Sequence, residues 1–345
     1  MASSAPSALP TPVWIDTDMG FDDLAAVLTV AASPAWRIAG MSLVAGNAPL
    51  PVVIDNARRA AHFFDWDFPI HAGCDRPIAG ELVTAQDILG DDAMRSVGRS
   101  LPRERSVLSG LGAVDALISH LRDGVESATA PVTILALGPL SNLATLLQRE
   151  PGLASRIGTL MWMGGSAGSG NHTAAAEFNA AVDPESVQVV LDAGIALKMV
   201  GLDACRQVRV HCADAAALRS VGGDCASLLA DLLEGYVRIA SADGSKPMAL
   251  YDPVAAAALV VPQSVQFEPA HLVMELVGRH TRGMTVVERR VPRKAQANAW
   301  VATTVDEAAV RACVLRALAT TEANVEAGVD TGLETGANSP ANQPR

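Results

Sequence analysis

Aromatic side chains are scarce in this 345-residue chain: they make up 4% of it, and only two are tyrosines. Half of the residues are hydrophobic, so the core is predicted to be mainly aliphatic, rich in alanine, valine and leucine. Basic residues are also in deficit, with 26 Lys and Arg against 37 Asp and Glu and a formal net charge of −11. That balance argues against a nucleic-acid polymer as partner, because polyanion binding needs clustered positive charge. No apolar stretch is long and charge-free enough to cross a bilayer, so no membrane association is expected. The opening Met-Ala-Ser-Ser-Ala-Pro carries neither a basic segment nor a hydrophobic run, and does not read as a signal peptide. Cys74, Cys205, Cys212, Cys225 and Cys313 make an odd count without paired metal-site spacing. A reducing, cytoplasmic compartment is the expectation. No internal repeat or linker-like shift divides the chain between Thr11 and Thr320. One domain over 12–320 is therefore expected, with a flexible segment 1–11 and a disordered tail 321–345 rich in Glu, Gly, Asn, Thr and Pro.

Within that span, strand and helix patterns alternate. Strands are predicted at 36–44, 70–72, 132–137, 159–163 and 197–200, with helices at 49–64, 114–121, 140–147 and 184–191 between them. Such alternation implies an α/β fold, a mostly parallel central sheet flanked by helices. Two helices are expected in 213–240 and another from Pro253; a strand pair at 272–277 and 284–287 and a closing helix at 305–318 complete the reading. The polar stretch 81–105 reads as a long loop of the kind used for lids and binding.

The most informative stretch is Trp14-Ile-Asp-Thr-Asp-Met-Gly-Phe-Asp-Asp23. Val13, Trp14 and Ile15 fit a buried strand that delivers Asp16, Asp18, Asp22 and Asp23; Gly20 permits a sharp turn, and Leu24 to Ala32 is helix-forming. The acids thus fall where a strand ends and a helix begins, the edge at which open α/β sheets bind ligands. Asp22 and Asp23 alone fit helix-start acids. Adding Asp16 and Asp18 at alternate strand positions shifts the balance, since alternate strand residues point the same way. Four carboxylates this close repel one another unless protonated or joined by a cation, and all-oxygen ligands favour calcium or magnesium. An EF-hand loop is excluded: its twelfth position, counted from Asp16, is Val27, which cannot supply the required acid.

Asp16-Thr-Asp18-Met-Gly20-Phe-Asp22-Asp23 resembles the signature of the inosine-uridine-type nucleoside hydrolases, which cleave the N-glycosidic bond of ribonucleosides. Further motifs follow in order: Val44-Ala-Gly-Asn47, Ala136-Leu-Gly-Pro-Leu-Ser-Asn-Leu-Ala144, Met163-Gly-Gly, Gly170-Asn171, Ala176-Glu177-Phe-Asn179 and Leu250-Tyr-Asp-Pro253. The resemblance implies a single Rossmann-like domain binding one Ca2+ through Asp16, Asp18, Asp22, Asp23, Asp252 and the Leu137 carbonyl. It further implies substrate contacts from Asp22, Asn47, Met163, Asn171, Glu177 and Asn179, with Asp18 as the base that activates water. It implies a small-molecule ribonucleoside as partner and a homodimer or homotetramer as assembly. Taken singly, Asn47 also fits a turn, Met163 a core side chain, and Asp252 a helix N-cap.

The chain departs from the family where many members carry a histidine before the last metal-binding aspartate; Tyr251 stands there. A phenol is a weaker acid than imidazolium, so Tyr251 is the first candidate for assisting the leaving base and His172 a second. Two other readings fit parts of the sequence. One is a haloacid-dehalogenase-like phosphohydrolase, for which Lys198 and Lys246 lie in unsuitable contexts; the other is a ribonucleoside-binding protein without hydrolytic activity.

Overall fold

The strand β1, Thr11–Thr17, occupies an interior position of a nine-stranded sheet, and the rest of the chain winds outward from it in two directions. The computed structural model describes residues 9–126, 131–290 and 296–322. Most of the tail expected at 321–345, and residues 1–8 of the expected N-terminal segment, lie outside them. After β1 come β2 Trp36–Leu43, β3 Ile70–Ala72, β4 Val132–Ala136, β5 Ile157–Met163, β6 Leu197–Val200, β7 Arg209–Val210, β8 Met248–Ala249, β9 Val265–Met274, β10 Thr285–Glu288 and β11 Ala299–Val305. The sheet order is β10-β9-β11-β6-β5-β4-β1-β2-β3, while β7 and β8 form a separate antiparallel ribbon.

All pairings from β3 across to β11 are parallel, and β9 runs antiparallel to both of its neighbours, β11 and β10. The chain fills β2 and β3 on one side of β1, then crosses to fill β4, β5 and β6 on the other. The crevice between β1 and β4 is therefore the topological switch point, where two adjacent connections leave in opposite directions and leave room for a ligand. Among the described residues no helix is long and apolar enough to cross a membrane.

Side-chain alternation along β1 feeds both faces of the sheet. Val13 and Ile15 join one buried cluster with helices Phe21–Ala31, Leu50–Phe63, Gly223–Ala240, Asp252–Val260 and Glu307–Thr320. Trp14 joins the other, with helices Ala113–Glu126, Ser141–Arg149 and Pro184–Asp192. A strand buried on both faces reads as an apolar run rather than an alternating one, as Val13-Trp-Ile15 does.

The expected αβ alternation is present, with corrections near the C-terminus. The strand expected at 272–277 starts earlier, at Val265, and stops at Met274. The strand Ala299–Val305, not expected, pairs between β6 and β9. Its Ala-Trp-Val-Ala-Thr-Thr-Val sequence has real β-propensity, but it lacks a turn signal on its C-terminal side, where Asp306 caps the closing helix directly by accepting from the Ala309 N–H at 3.0 Å. The stretch 81–105 is a loop as expected, broken only by the short helix Gln86–Leu89.

Candidate active site

The ends of four parallel strands converge on one crevice. β1 delivers Asp16 and then Asp18; the segment after β2 delivers Asn47, the residue after β4 is Leu137, and β5 ends at Met163. Register explains the convergence: Asp16 lies opposite Ser42 of β2 and Ala136 of β4, and the Leu137 N–H donates to the Asp16 carbonyl at 2.8 Å.

Asp18 is buried and aimed by a single neighbour. The Asn47 backbone N–H donates to its Oδ2 at 2.7 Å and the Asn47 side-chain amide to its Oδ1 at 3.1 Å; the same amide reaches Asp23 Oδ2 at 3.3 Å. This approach depends on Gly46, where a Cβ would lie 2.1 Å from Asp18 Oδ2. Asp23 lies in the first turn of helix Phe21–Ala31, taking the Gly20 N–H at 2.8 Å and the Thr17 hydroxyl. The bland reading of Asp23 as a helix-start acid therefore holds alongside its place in the cluster.

Asp22, Asp23 and Asp252 each offer an oxygen, and these atoms lie within 4.8 Å of one another. Burial raises all of these carboxyl groups, and the charges of neighbouring acids raise Asp22, Asp252 and the adjacent Asp18 further. Asp22 is pushed up to about 7 by burial and then by Asp23. Asp18 goes well up through burial and the Asp23 charge, and Asp252 well up through burial and the charges of Asp23, Asp22 and Asp18. Burial also raises Asp23, against the donors Thr17 and Gly20. Among the described residues, no lysine or arginine lines the adjoining pocket. Oxygens sharing one hard divalent ion at about 2.3–2.6 Å would be separated by no more than about this distance. The donor set thus fits such an ion, whose charge would remove the repulsion.

Asp16 stands apart. Its Oδ1 accepts from the Ser42 hydroxyl and from Asn142 Nδ2 at 2.8 Å, and its Oδ2 is buried without a partner. Burial pushes its carboxyl up to about 6. It belongs to neither the group formed by Asp22, Asp23 and Asp252 nor the pocket lining.

Beside the acids lies a cavity of about 200 Å³ lined by Asp22, Asn47, Leu137, Met163, Asn171, Glu177, Asn179, Tyr251 and Asp252 among others. With His172, ten of the residues singled out in the sequence are thereby gathered round one space, while Asp16, Asp18 and Asp23 are not among its lining. Glu177 is buried and accepts three backbone N–H groups, from Gly165 at 2.7 Å, Asn179 at 3.0 Å and Ala180 at 3.1 Å. Burial outweighs those donors and pushes it up to about 7. Asn179 Nδ2 donates to the carbonyls of Leu137 at 3.0 Å and Met163 at 3.2 Å, tying the segment that carries Glu177 and Asn179 to the ends of β4 and β5. Asn171 is exposed and its Oδ1 accepts the Phe178 N–H at 3.0 Å. Glu177→Gln would turn one acceptor into a donor facing a backbone donor. We expect a stability loss of roughly 1–3 kcal/mol, read as a lower midpoint in urea with unchanged slope.

Two features were not foreseen. Tyr251, not Asp252, occupies the N-cap position of helix Asp252–Val260, leaving the Asp252 carboxylate free to face the other acids. Tyr236, from helix Gly223–Ala240, also lines the cavity; its hydroxyl donates to the Ala249 carbonyl at 2.8 Å and lies near enough to Asp22 to lower that carboxyl. Both tyrosines of the chain thus meet here, and that scarcity was the one available signal for Tyr236. Ile88, Leu89, Ile239 and Met248 supply an apolar wall drawn from stretches without a recognisable motif.

Known proteins resemble this chain over most of its length. Pyrimidine-specific ribonucleoside hydrolases RihA are similar over most of their length: that of Shewanella woodyi is 35% identical over 300 residues, 86% of this chain and 94% of the relative. That of Shigella boydii is 32% identical over 298 residues, again 86% and 94%. Among solved structures, a plant nucleoside hydrolase superposes with a TM-score of 0.80 at 25% identity, covering 90% of this chain and 99% of its own. A purine-preferring ribonucleoside hydrolase from Gardnerella vaginalis shares the fold with a TM-score of 0.80 at 22% identity, covering 90% of this chain and 98% of its own. The phosphohydrolase reading is set aside by these relationships. The family model for the inosine-uridine preferring nucleoside hydrolases matches residues 13–312, the span that carries every acid, amide and carbonyl of the crevice, and the chain belongs to that family of ribonucleoside-cleaving hydrolases.

Proposed function

We propose that this protein is a calcium-dependent hydrolase that splits the N-glycosidic bond of ribonucleosides into ribose and free base, with pyrimidine ribonucleosides as preferred substrates. The observation that carries this reading is the group Asp22, Asp23 and Asp252 with the buried Asp18 beside it, of which Asp22 and Asp252 line a cavity edged by Asn47, Glu177 and Asn179. Asp18, Asp22, Asp23, Asp252 and the Leu137 carbonyl would hold the ion, which when bound makes a coordinated water more acidic and orients the sugar hydroxyls. Asp16 is assigned to bracing rather than ligation, since Ser42 and Asn142 engage it.

The residues divide the work. Asp18, held by two Asn47 donors, takes the proton from water as it attacks the anomeric carbon. The carboxylates stabilise the positive charge that develops on the ribose ring as the glycosidic bond stretches. Glu177, with Asn171, Asn179 and Asn47, supplies acceptors and donors for sugar hydroxyls. Burial pushes Tyr251 up to about 12, so it assists the leaving base by donating a hydrogen bond and stays un-ionised. We expect Tyr251→Phe to lower kcat by roughly tenfold with a smaller change in KM; a His172→Ala loss of that size with Tyr251→Phe silent would transfer the role to His172.

Pyrimidine preference is supported by the pyrimidine-specific RihA relatives. A homodimeric or homotetrameric assembly and a cytoplasmic location complete the proposal. The test is release of reducing sugar from uridine, cytidine, inosine and adenosine, each with calcium and with chelator. Metal-dependent release, fastest from the pyrimidines, is expected. Binding of ribonucleosides without release from any of them would favour a non-hydrolytic binding protein.

A further inference from the structure

Among the described residues only three other than glycine have a left-handed backbone, and two of them, Met19 (φ 39°) and Ala93 (φ 53°), are brought together by one side chain. Met19 lies in the turn between Asp18 and Gly20; Ala93 lies in the long loop, just after the carbonyl of Asp92. Such conformations persist in residues with a Cβ only where the surroundings over-determine them. Asn56, on helix Leu50–Phe63 and 2% exposed, does so from below. Its Nδ2 donates to the Met19 carbonyl at 3.0 Å and to the Asp92 carbonyl at 2.7 Å, which accounts for both of its protons.

The two segments are in direct contact at this point. A Cβ built on Gly20 would lie 3.2 Å from the Ala93 carbonyl oxygen. On one side, the Met19 N–H is taken by the Thr17 hydroxyl at 3.1 Å and the Gly20 N–H by Asp23 Oδ2 at 2.8 Å, so the backbone at Met19 is fixed between the Thr17 hydroxyl and the Asp23 carboxylate. On the other, the Ala93 N–H donates to the Gly90 carbonyl at 2.9 Å, and Gly90 directly follows Ile88 and Leu89 of the cavity wall. The Ala85 N–H in turn donates to the carbonyl of Asn47, the residue that aims Asp18, at 3.1 Å.

We propose that Asn56 is a positioning residue: by gripping the Met19 and Asp92 carbonyls it fixes the directions of Asp18 and Asp23 and couples them to the loop segment 85–94 that walls the cavity. The kinetic part rests on the hydrolase reading above; the structural coupling does not. A buried asparagine that merely satisfied the core would stabilise the fold without linking these two segments.

The experiment compares the full-length protein with Asn56→Leu, close in volume but without donors, and Asn56→Gln, which keeps the amide one methylene further out. In the Leu variant, peptides covering 17–23 and 85–94 are expected to exchange amide hydrogens faster together, while helix 50–63 keeps its protection. Its calcium affinity falls, and kcat falls roughly 10- to 100-fold with KM changed by less than about threefold, the signature of misplaced catalytic groups. Asn56→Gln is expected to show the same pattern in weaker form, and carries the test if the Leu variant does not fold. Wild-type kcat and calcium affinity in a folded variant, or faster exchange confined to one of the two segments, would overturn the proposal. If the wild-type protein hydrolyses no nucleoside, the hydrolase reading fails while exchange and calcium titration still decide the coupling.

Discussion

Asp18→Asn is expected to lose roughly 10²–10⁴-fold in kcat while the protein stays folded. The size follows from the chemistry assigned to the side chain: asparagine matches the shape of aspartate but cannot accept a proton at any useful pH. Fold retention follows from packing. Asp18 is buried beneath Gly46 and Asn47, and an asparagine fills the same space. One contact is lost, because both carboxylate oxygens accept from Asn47 and the new amide nitrogen would face one of those donors. A modest fall in thermal midpoint is therefore expected beside the large fall in kcat. Activity should be measured with saturating uridine and calcium, and folding by the far-ultraviolet spectrum and melting curve. A variant within tenfold of wild type would remove Asp18 from the role of base and turn attention to Asp22, which lines the cavity.

The acids were legible in the sequence because their chemistry is dense there: four carboxylates in one strand-turn-helix passage have few explanations. Asn47, Glu177 and Asn179 were legible through motif order, and the sheet edge where they meet follows from αβ alternation. What could not be read was which atoms each residue spends on its neighbours. Asp16 shares a strand face with Asp18, yet its Oδ1 is taken by Ser42 and Asn142, contacts made across 26 and 126 residues of sequence. Tyr236 reaches the cavity from a helix with an ordinary amphipathic pattern, so nothing local marked it. Asn56 looks like any polar residue in a helix until the two carbonyls it holds are placed beside it. The strand Ala299–Val305 was missed for a related reason: its place between β6 and β9 is decided by pairing over long separations.

Removing the divalent ion should make the protein's stability fall as pH rises. Burial pushes Asp16 up to about 6 and Asp22 and Glu177 up to about 7, whereas in the unfolded chain such groups titrate near 4. Between those limits the folded, metal-free protein binds more protons than the unfolded one. Stability is then fully present below the unfolded values and is lost as pH rises through about 6 to 7. Asp18, Asp23 and Asp252 are raised as well and act with the same sign. A divalent cation binds the ionised cluster, so its stabilising effect grows over the same window. In chelator the melting midpoint is expected to decline from pH 5 to pH 8; with calcium about a hundredfold above its dissociation constant the decline shrinks, leaving a gap of roughly 5 °C or more at pH 8. Magnesium is expected to give a smaller gap, since a smaller ion that demands octahedral geometry suits a site of fixed carboxylates less well. Glu177 lies outside the acid group, so part of the slope should survive saturation with calcium and disappear in Glu177→Gln. A chelated midpoint that did not move between pH 5 and 8, or a calcium effect larger at pH 5 than at pH 8, would show that the carboxylates do not carry this repulsion and would take away the physical reason for placing a metal among them.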